Sequence, residues 1–253
     1  MNCCLIRILL DLFIGLNKQE NNVLIRFYKN HDKQNGADRS SVLFFCVVVC
    51  ICLFSALNCE AYEGKVKHVI DGDTFVLENN EIIRIASIDT PEIGREGKPD
   101  QYYAKESSEI LKELLLNKVV RVEPVKKGKD NYGRTIGWVY LDNYFVNEIM
   151  VEKGAAFFYF HPYNDSVKQD LLLQAQRKAM SEVKGFWRKI SSLKDFNIKW
   201  VGNMRSRRCF RVGSNFSVTI MNRNKVRFST LGEAFMEGYT PARASKFWPN
   251  VTQ

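Results

Sequence analysis

Asp71, Asp73, Asp89 and Glu92 fall close together in the chain, with Arg84 between them. The first pair sits in Val69-Ile70-Asp71-Gly72-Asp73-Thr74 and the second in Ile88-Asp89-Thr90-Pro91-Glu92. An Asp-Gly-Asp turn between two apolar runs directs carboxylates off the end of a strand pair, and its glycine permits the tight backbone. A second acidic turn follows a third apolar run, residues 81 to 88. Oxygen ligands from two turns suit a hard cation such as Ca²⁺ or Mg²⁺, whereas zinc prefers imidazole or thiolate. Glu92, held out by Pro91, is in reach of a metal-bound water, the arrangement for general-base activation of a nucleophile. Arg84 alternates with Ile83 and Ile85, so its strand aims it away from the core, and a guanidinium there suits bidentate phosphate recognition. Each turn taken alone is what an ordinary capped surface loop also looks like. The combination is much rarer.

Elements that could position these groups are legible around them. Runs at about 62 to 70, 73 to 79 and 81 to 88 read as a three-stranded meander, turning at Asn79-Asn80. Residues 101 to 117 read as an amphipathic helix carrying Ala104, Ser108, Leu111 and Leu115 on one side. Two further strands are expected at 119 to 125 and 134 to 141, then a short helix at about 145 to 153 stopped by Gly154. A last helix opens on a capping-box pattern at Ser166-Val167-Lys168-Gln169 and carries Leu171, Leu172, Ala175 and Ala179 inward. Five strands interrupted by a helix fit a small closed barrel of the OB type, an α+β fold with about three helices.

The runs Val-Ile-Asp-Gly-Asp-Thr and Arg84-x₄-Asp89-Thr90-Pro91-Glu92, with Asp130-Asn131-Tyr132-Gly133-Arg134 further on, resemble the staphylococcal nuclease (thermonuclease) family in order and spacing. The resemblance covers about residues 62 to 187 and implies the same barrel. It implies that Asp73, Asp89 and the carbonyl of Thr90 bind one Ca²⁺, with Asp71 in support, and that Glu92 is the general base. Arg84 and Arg134 would clamp the scissile phosphate and stabilise its developing charge. Tyr132, Lys127 and Lys129 on the loop before Arg134 would follow the nucleic acid. Phe158 and Phe160 stand where the family has tyrosines flanking the bound nucleotide, so the rings are kept and the hydroxyls lost. His161 falls where the family has lysine, and its bond to Pro162 is expected to be cis. The activity implied is endonucleolytic hydrolysis of DNA and RNA phosphodiesters leaving 3′-phosphate ends. A noncatalytic nucleic-acid-binding OB module is the rival, against which the intact acids and arginines argue.

Beyond about residue 190 the composition changes. Residues 191 to 253 hold eleven Lys or Arg against three acids, so nearly all of the chain's formal excess of +9 lies there. Arg205, Arg207, Arg208 and Arg211, with Phe210 among them, would suit sequence-independent phosphate contact. The segment also resembles, more weakly, the small zinc-binding module of the Ada DNA-repair protein, through Trp200-Val201-Gly202-Asn203, Lys225-Val226-Arg227-Phe228 and Glu233-Ala234-Phe235-Met236-Glu237-Gly238-Tyr239. Where that module places Cys-x-x-Cys, this chain has Ala242-Arg243-Ala244-Ser245, and Cys209 alone cannot make a tetrahedral site. No zinc is expected; if the segment folds, Trp200, Phe216, Phe228, Phe235 and Tyr239 would hold it, and partial disorder is the alternative.

The leader, residues 1 to 61, reads separately. Residues 41 to 57 are almost wholly apolar and follow Lys29, Lys33 and Arg39, the pattern of a secretory signal with a cleavage point near Cys59-Glu60-Ala61. The run is also just long enough for a span, so a retained signal anchor, and with it a membrane-tethered adaptor, is the competing reading. Six of seven cysteines lie in this leader, so the rest of the chain has only Cys209 and must be held by packing. The organisation expected is therefore a leader (1–61), a nuclease-like domain (62–190) and a basic C-terminal module (191–253). A monomer, secreted or held at the cell envelope, is expected.

Overall fold

The apolar positions of the first long strand alternate only in part, because it curves between two neighbours. In the computed structural model, which describes residues 61–250 apart from 246, this strand is β1 (Tyr62–Asp71). It pairs antiparallel with β2 (Thr74–Leu77) and, along its first half, with β5 (Val119–Lys129). Register shifts at His68 and before Asp71 bend it, as bulges do, and allow a short sheet to curl. The sheet continues through β3 (Ile82–Ile85) on one side and through β6 (Thr135–Leu141) and β7 (Tyr144–Phe145) on the other. A parallel pairing of β3 with β6, Ile83 opposite Thr135 and Ile85 opposite Gly137, closes it into a barrel. The five-stranded closed barrel and the α+β class are as the sequence predicts. The described residues fall within one compact unit, Cys59–Gln253. The leader and its apolar run at 41–57 lie outside them, and among the described residues no helix is long and apolar enough to cross a membrane.

Among the described residues three helices have seven or more residues: α1 (Ala104–Leu115), α2 (Val146–Glu152) and α3 (Ser166–Ser181). Among the described residues three short ones accompany them, α4 (Trp187–Ile190), α5 (Asn215–Val218) and α6 (Leu231–Met236). Helix α1 buries Ala104, Ser107, Leu111 and Leu115, and the barrel core is built from such side chains as Val66, Phe75, Ile83, Leu111, Val139 and Met150, all fully buried. Each such burial stabilises the fold by about 1.5–3 kcal/mol. Helix α3 departs from expectation at its start: Asp165, not Ser166, is the cap, its carboxylate accepting from the amide of Lys168 at 2.9 Å. Gln169 is turned inward to bond the backbone of His161 and Asn164, and Leu171 faces solvent while Leu172, Ala175 and Ala179 pack inward. Every described peptide bond is trans, His161–Pro162 included.

Strand β3 is the second departure. The run expected at 81 to 88 breaks at Ser87, which adopts φ 55°, and resumes as β4 (Ile88–Asp89) paired with β8 (Phe157–Phe158). Ala86 at the break is held by the buried Asn147, which donates to its carbonyl at 2.7 Å and accepts from the amide of Val139 at 3.0 Å. Replacing Asn147 by Ala leaves both backbone groups buried without a partner, at a cost of about 2–4 kcal/mol. A urea-unfolding midpoint unchanged within error would show that the break is held by something else.

The C-terminal segment forms its own four-stranded sheet in the order β11, β9, β10, β12 (Lys225–Phe228, Trp200–Asn203, Arg208–Arg211, Thr240–Pro241). Trp200, Phe228, Phe235 and Tyr239 are buried as the sequence suggests, whereas Phe216 is exposed and stacks on Phe210. The core of this segment is continuous with Phe157, Ala179, Phe186 and Trp187 of the barrel side. Gln176 joins the two, accepting from the Phe158 amide at 2.8 Å and donating to the Phe235 carbonyl at 2.7 Å. Cys209 is a buried free thiol, and burial pushes it far above the ordinary thiol range.

Candidate active site

The β1–β2 turn and β4 bring their acids to one end of the barrel. Gly72 is confined there: a Cβ on it would lie 2.7 Å from that of Ser107 on α1 and 3.0 Å from that of Thr90. A side chain would therefore push the acidic turn away from β4. Asp73 anchors the cluster. Its Oδ1 accepts from the Thr74 hydroxyl at 2.9 Å, and its Oδ2 accepts from both the amide and the hydroxyl of Thr90 at 3.1 Å. Its own amide donates to Asp71 at 3.2 Å.

Arg84 ties the two acidic turns together. Its Nη1 donates to the carbonyls of Ile85 and Ile88 at 2.9 Å, which fixes the guanidinium against the break after β3. Its Nη2 lies 2.9 Å from Asp73 Oδ2 and 2.7 Å from Asp89 Oδ1. The break at Ser87 thus explains the geometry, since it lets Asp89 turn back toward the strand that carries Arg84.

The electrostatics are those of a cluster with more negative charge than its cations relieve. Burial, and then the Asp73 carboxylate, push Asp71 up to about 7. Burial pushes Asp89 up to about 6; Arg84 opposes this, and Asp73 and Glu92 add to it. Burial works against the charge of Arg84, but the surrounding carboxylates prevail and hold its pKa above the ordinary value. Among the described residues no three His, Cys, Asp or Glu side chains are closed around a common point as a finished metal cage. The donors present are carboxylate and carbonyl oxygens, a hard set, and the raised carboxyl pKa values mark a site that a cation would relieve.

Glu92 lies at the solvent side of the cluster with its side chain half exposed. Its backbone is held by Gln101, whose Oε1 accepts from the Glu92 amide at 2.8 Å and whose amide donates to the Glu92 carbonyl at 3.0 Å. A residue that sequence reasoning did not single out completes the site: Arg243, whose Nη2 is 2.8 Å from Glu92 Oε1 and 3.3 Å from Asp89 Oδ1. It belongs to the stretch Ala242-Arg243-Ala244-Ser245, which by resemblance reads only as the place of missing zinc ligands. No local pattern could have paired it with residues so far away.

The other expected site residues lie on the β5–β6 hairpin and on the strip 157–160. Arg134 directly precedes Thr135, the residue of β6 that pairs with Ile83 of β3. Its Nε donates to Asp130 at 2.8 Å, and Asp130 also accepts from the amides of Tyr132 and Arg134. Partial burial raises the Asp130 carboxyl, but these bonds outweigh it and hold it below the ordinary range. Tyr132 is almost wholly exposed with the Arg134 guanidinium 5.4 Å from its ring centre, and Lys127 and Lys129 are exposed on the same hairpin.

The two phenylalanines part company. Phe158 is buried, with the Gly238 backbone so close that a Cβ there would lie 3.2 Å from its ring, so it presents no face to solvent for a base. Phe160 is half buried, with Arg207 over its ring. Arg208 donates to the Phe160 carbonyl at 2.9 Å and to the Thr240 hydroxyl at 2.8 Å while lying 3.3 Å over the Tyr159 ring. Arg211 is ion-paired with Asp195. Much of the arginine cluster therefore fastens the C-terminal segment to the strip 157–160. Burial and the nearby cations Lys127 and Arg208 hold the His161 pKa below its ordinary value.

Residues 82–189 match the family model described as "Staphylococcal nuclease homologue". The chain is 32% identical to a thermonuclease of Staphylococcus intermedius over 162 residues, 58% of this chain and 96% of that protein. It is 37% identical to a thermonuclease of Staphylococcus hyicus over 133 residues, 51% of this chain and 78% of that protein. A micrococcal nuclease of Shigella flexneri is 30% identical over 138 residues, 50% of this chain and 74% of that protein.

Proposed function

Because this chain belongs to the staphylococcal nuclease family, and so is a phosphodiester-hydrolysing nuclease acting on nucleic acid, we propose that it is a calcium-dependent endonuclease of DNA and RNA that leaves 3′-phosphate ends. The observation that carries this reading is the pair of buried carboxylates, Asp73 and Asp89, bridged by Arg84 with Glu92 beside them. Asp73, Asp89 and the carbonyl of Thr90, supported by Asp71, would hold calcium, which when bound supplies Lewis-acid polarisation of a phosphoryl oxygen.

The chain's own groups do the rest. Glu92, exposed enough to meet water, takes the proton of the attacking molecule. Arg84 is fixed by the carbonyls of Ile85 and Ile88, so its charge needs no reorganisation as charge develops on the phosphorane. Arg134 is steadied by Asp130 through Nε, and its remaining N–H groups would take phosphate oxygens. Tyr132, Lys127 and Lys129 follow the strand on the same hairpin, and Phe160 is the aromatic ring near enough to solvent to meet a base. A barrel domain with an attached basic module that takes no zinc, secreted or held at the envelope as a monomer, completes the reading.

Cleavage of single-stranded DNA by the purified protein with calcium, with magnesium and with a chelator tests it. Cutting with calcium alone is the expected result, and a folded protein that binds DNA yet cuts with no metal would leave a binding module. A pH dependence follows from the raised carboxyls. Between the ordinary aspartate pKa of 3.8 and about 7 the native metal-free cluster binds more protons than the unfolded chain does, so its contribution to stability falls as pH rises through that window. Calcium competes with those protons. Its stabilisation of the protein in thermal unfolding should therefore be larger at pH 8 than at pH 5, and an equal shift at both would argue against Asp71 and Asp89 as the site.

A further inference from the structure

Arg243 reaches the acidic cluster from a segment whose backbone is pinned on both sides of it. Before it, the amide of Ala242 donates to the Cys209 carbonyl at 3.0 Å. After it, the Tyr102 amide donates to the Pro249 carbonyl at 2.8 Å, and the Trp248 indole donates to the Tyr102 carbonyl at 2.9 Å. The Trp248 ring stacks on Phe157 at 5.5 Å and meets Phe186 edge-on at 4.9 Å. Asn250 bridges to Gln101, the residue that also holds Glu92 by two hydrogen bonds. The mount is tied to the loop that carries Glu92. The Arg243 side chain, by contrast, is 72% exposed.

An exposed ion pair contributes little to stability, because water screens it and a long side chain must be held still. The pair with Glu92, exposed on both sides, therefore adds little to stability, and the contact with the buried Asp89 is the longer of the two at 3.3 Å. Arg84 is already committed to Asp73, Asp89 and two carbonyls, and Arg134 to Asp130. Arg243 is the loosest of the three. It shares Asp89 Oδ1 with Arg84, at 3.3 Å against 2.7 Å. A phosphodiester entering beside Glu92 offers oxygens that a guanidinium can take in pairs, and Glu92 must be released from an ion pair to accept a proton from water.

We propose that Arg243 is a third phosphate-binding arginine of the active centre, supplied by the C-terminal segment, which exchanges its contacts with Glu92 and Asp89 for the substrate phosphate. The inference rests on the nuclease reading above. It makes the C-terminal segment part of the catalytic unit, and it couples release of Glu92 to arrival of substrate.

The test uses the full chain with Arg243→Ala and Arg243→Lys. Cleavage of single-stranded DNA in calcium should fall about 10- to 100-fold in kcat/KM for the alanine variant and recover in part for the lysine variant, which keeps a point charge without the fork. Binding is read separately in a Glu92→Gln background, by fluorescence anisotropy of a labelled oligothymidylate in calcium. There Arg243→Ala should weaken binding about tenfold and lower the slope of log K against log salt by about 0.7. Thermal unfolding should be unchanged, since an exposed side chain is removed from a pinned backbone. Cleavage and binding equal to or above the parent's would overturn the proposal and make Arg243 a counter-ion that only occupies the carboxylates. If the parent protein cuts nothing, the nuclease reading fails, and the anisotropy comparison still decides whether Arg243 meets phosphate.

Discussion

Glu92→Gln is expected to lower the single-turnover rate of DNA cleavage by about 10³-fold, within the range that a positioned general base supplies. The fold should be untouched. Glu92 is half exposed, its backbone bonds to Gln101 do not involve the carboxylate, and the ion pair it shares with Arg243 lies at the surface. Loss of such a pair costs at most about 1 kcal/mol. The variant should also bind oligonucleotide at least as well as the parent, because a negative charge beside the phosphate is gone. Quenched-flow cleavage beside a urea titration separates the two effects. A rate within tenfold of the parent would remove Glu92 from the chemistry and leave the arginines and the metal to account for the reaction.

Arg84→Ala should damage stability and activity together, for one physical reason. The guanidinium is the direct counter-charge of Asp73 and Asp89, and it donates to the carbonyls of Ile85 and Ile88. Removing it strands two buried carboxylates, which costs about 3–5 kcal/mol at neutral pH in chelator. The penalty should shrink toward pH 4, where Asp89, raised to about 6 by burial, is protonated, and calcium should restore part of it at neutral pH. Activity should fall by at least about 10²-fold even where the fold is rescued, as expected when one preorganised donor to the phosphorane is lost. Urea titrations at pH 7 and pH 4, with and without calcium, give the stability terms. A loss below 1 kcal/mol at neutral pH would mean that Asp73 and Asp89 do not depend on Arg84.

What could be read in the sequence is what short segments determine. The Asp-Gly-Asp turn, the alternation that frames Arg84 and the Asp-Thr-Pro-Glu run each lie within a few residues, and so did the order of strands and main helices. The features that escaped reading are set by distant partners. Strand β3 ends at Ile85 because Ala86 bonds to Asn147 and Gly137, and because β4 finds its partner in Phe157 and Phe158. The aromatic strip 157–160 looks like a stacking platform in the sequence, yet Gly238 and Arg208, from much later in the chain, cover or fasten most of it. Arg243 stands 154 residues from Asp89, and its neighbours read only as lost zinc ligands. Ser166 fits the same local rule as the true cap Asp165, one residue earlier, and only the observed bond to Lys168 decides between them.

Closure of the barrel through the parallel pairing of β3 with β6 also bears on when the active centre comes into being. Ile83 and Thr135 meet across a long intervening segment, and pairings of that kind form late because a large loop must be closed before the contact is rewarded. Asp71 and Asp73 lie at the turn of the first strand pair, but the strand that carries Arg84 has no second neighbour until β6 is in place, and Arg243 comes from a later segment still. The acidic turn can therefore be shaped by local contacts, whereas Arg84 takes its place between the two acidic turns only once the barrel has closed.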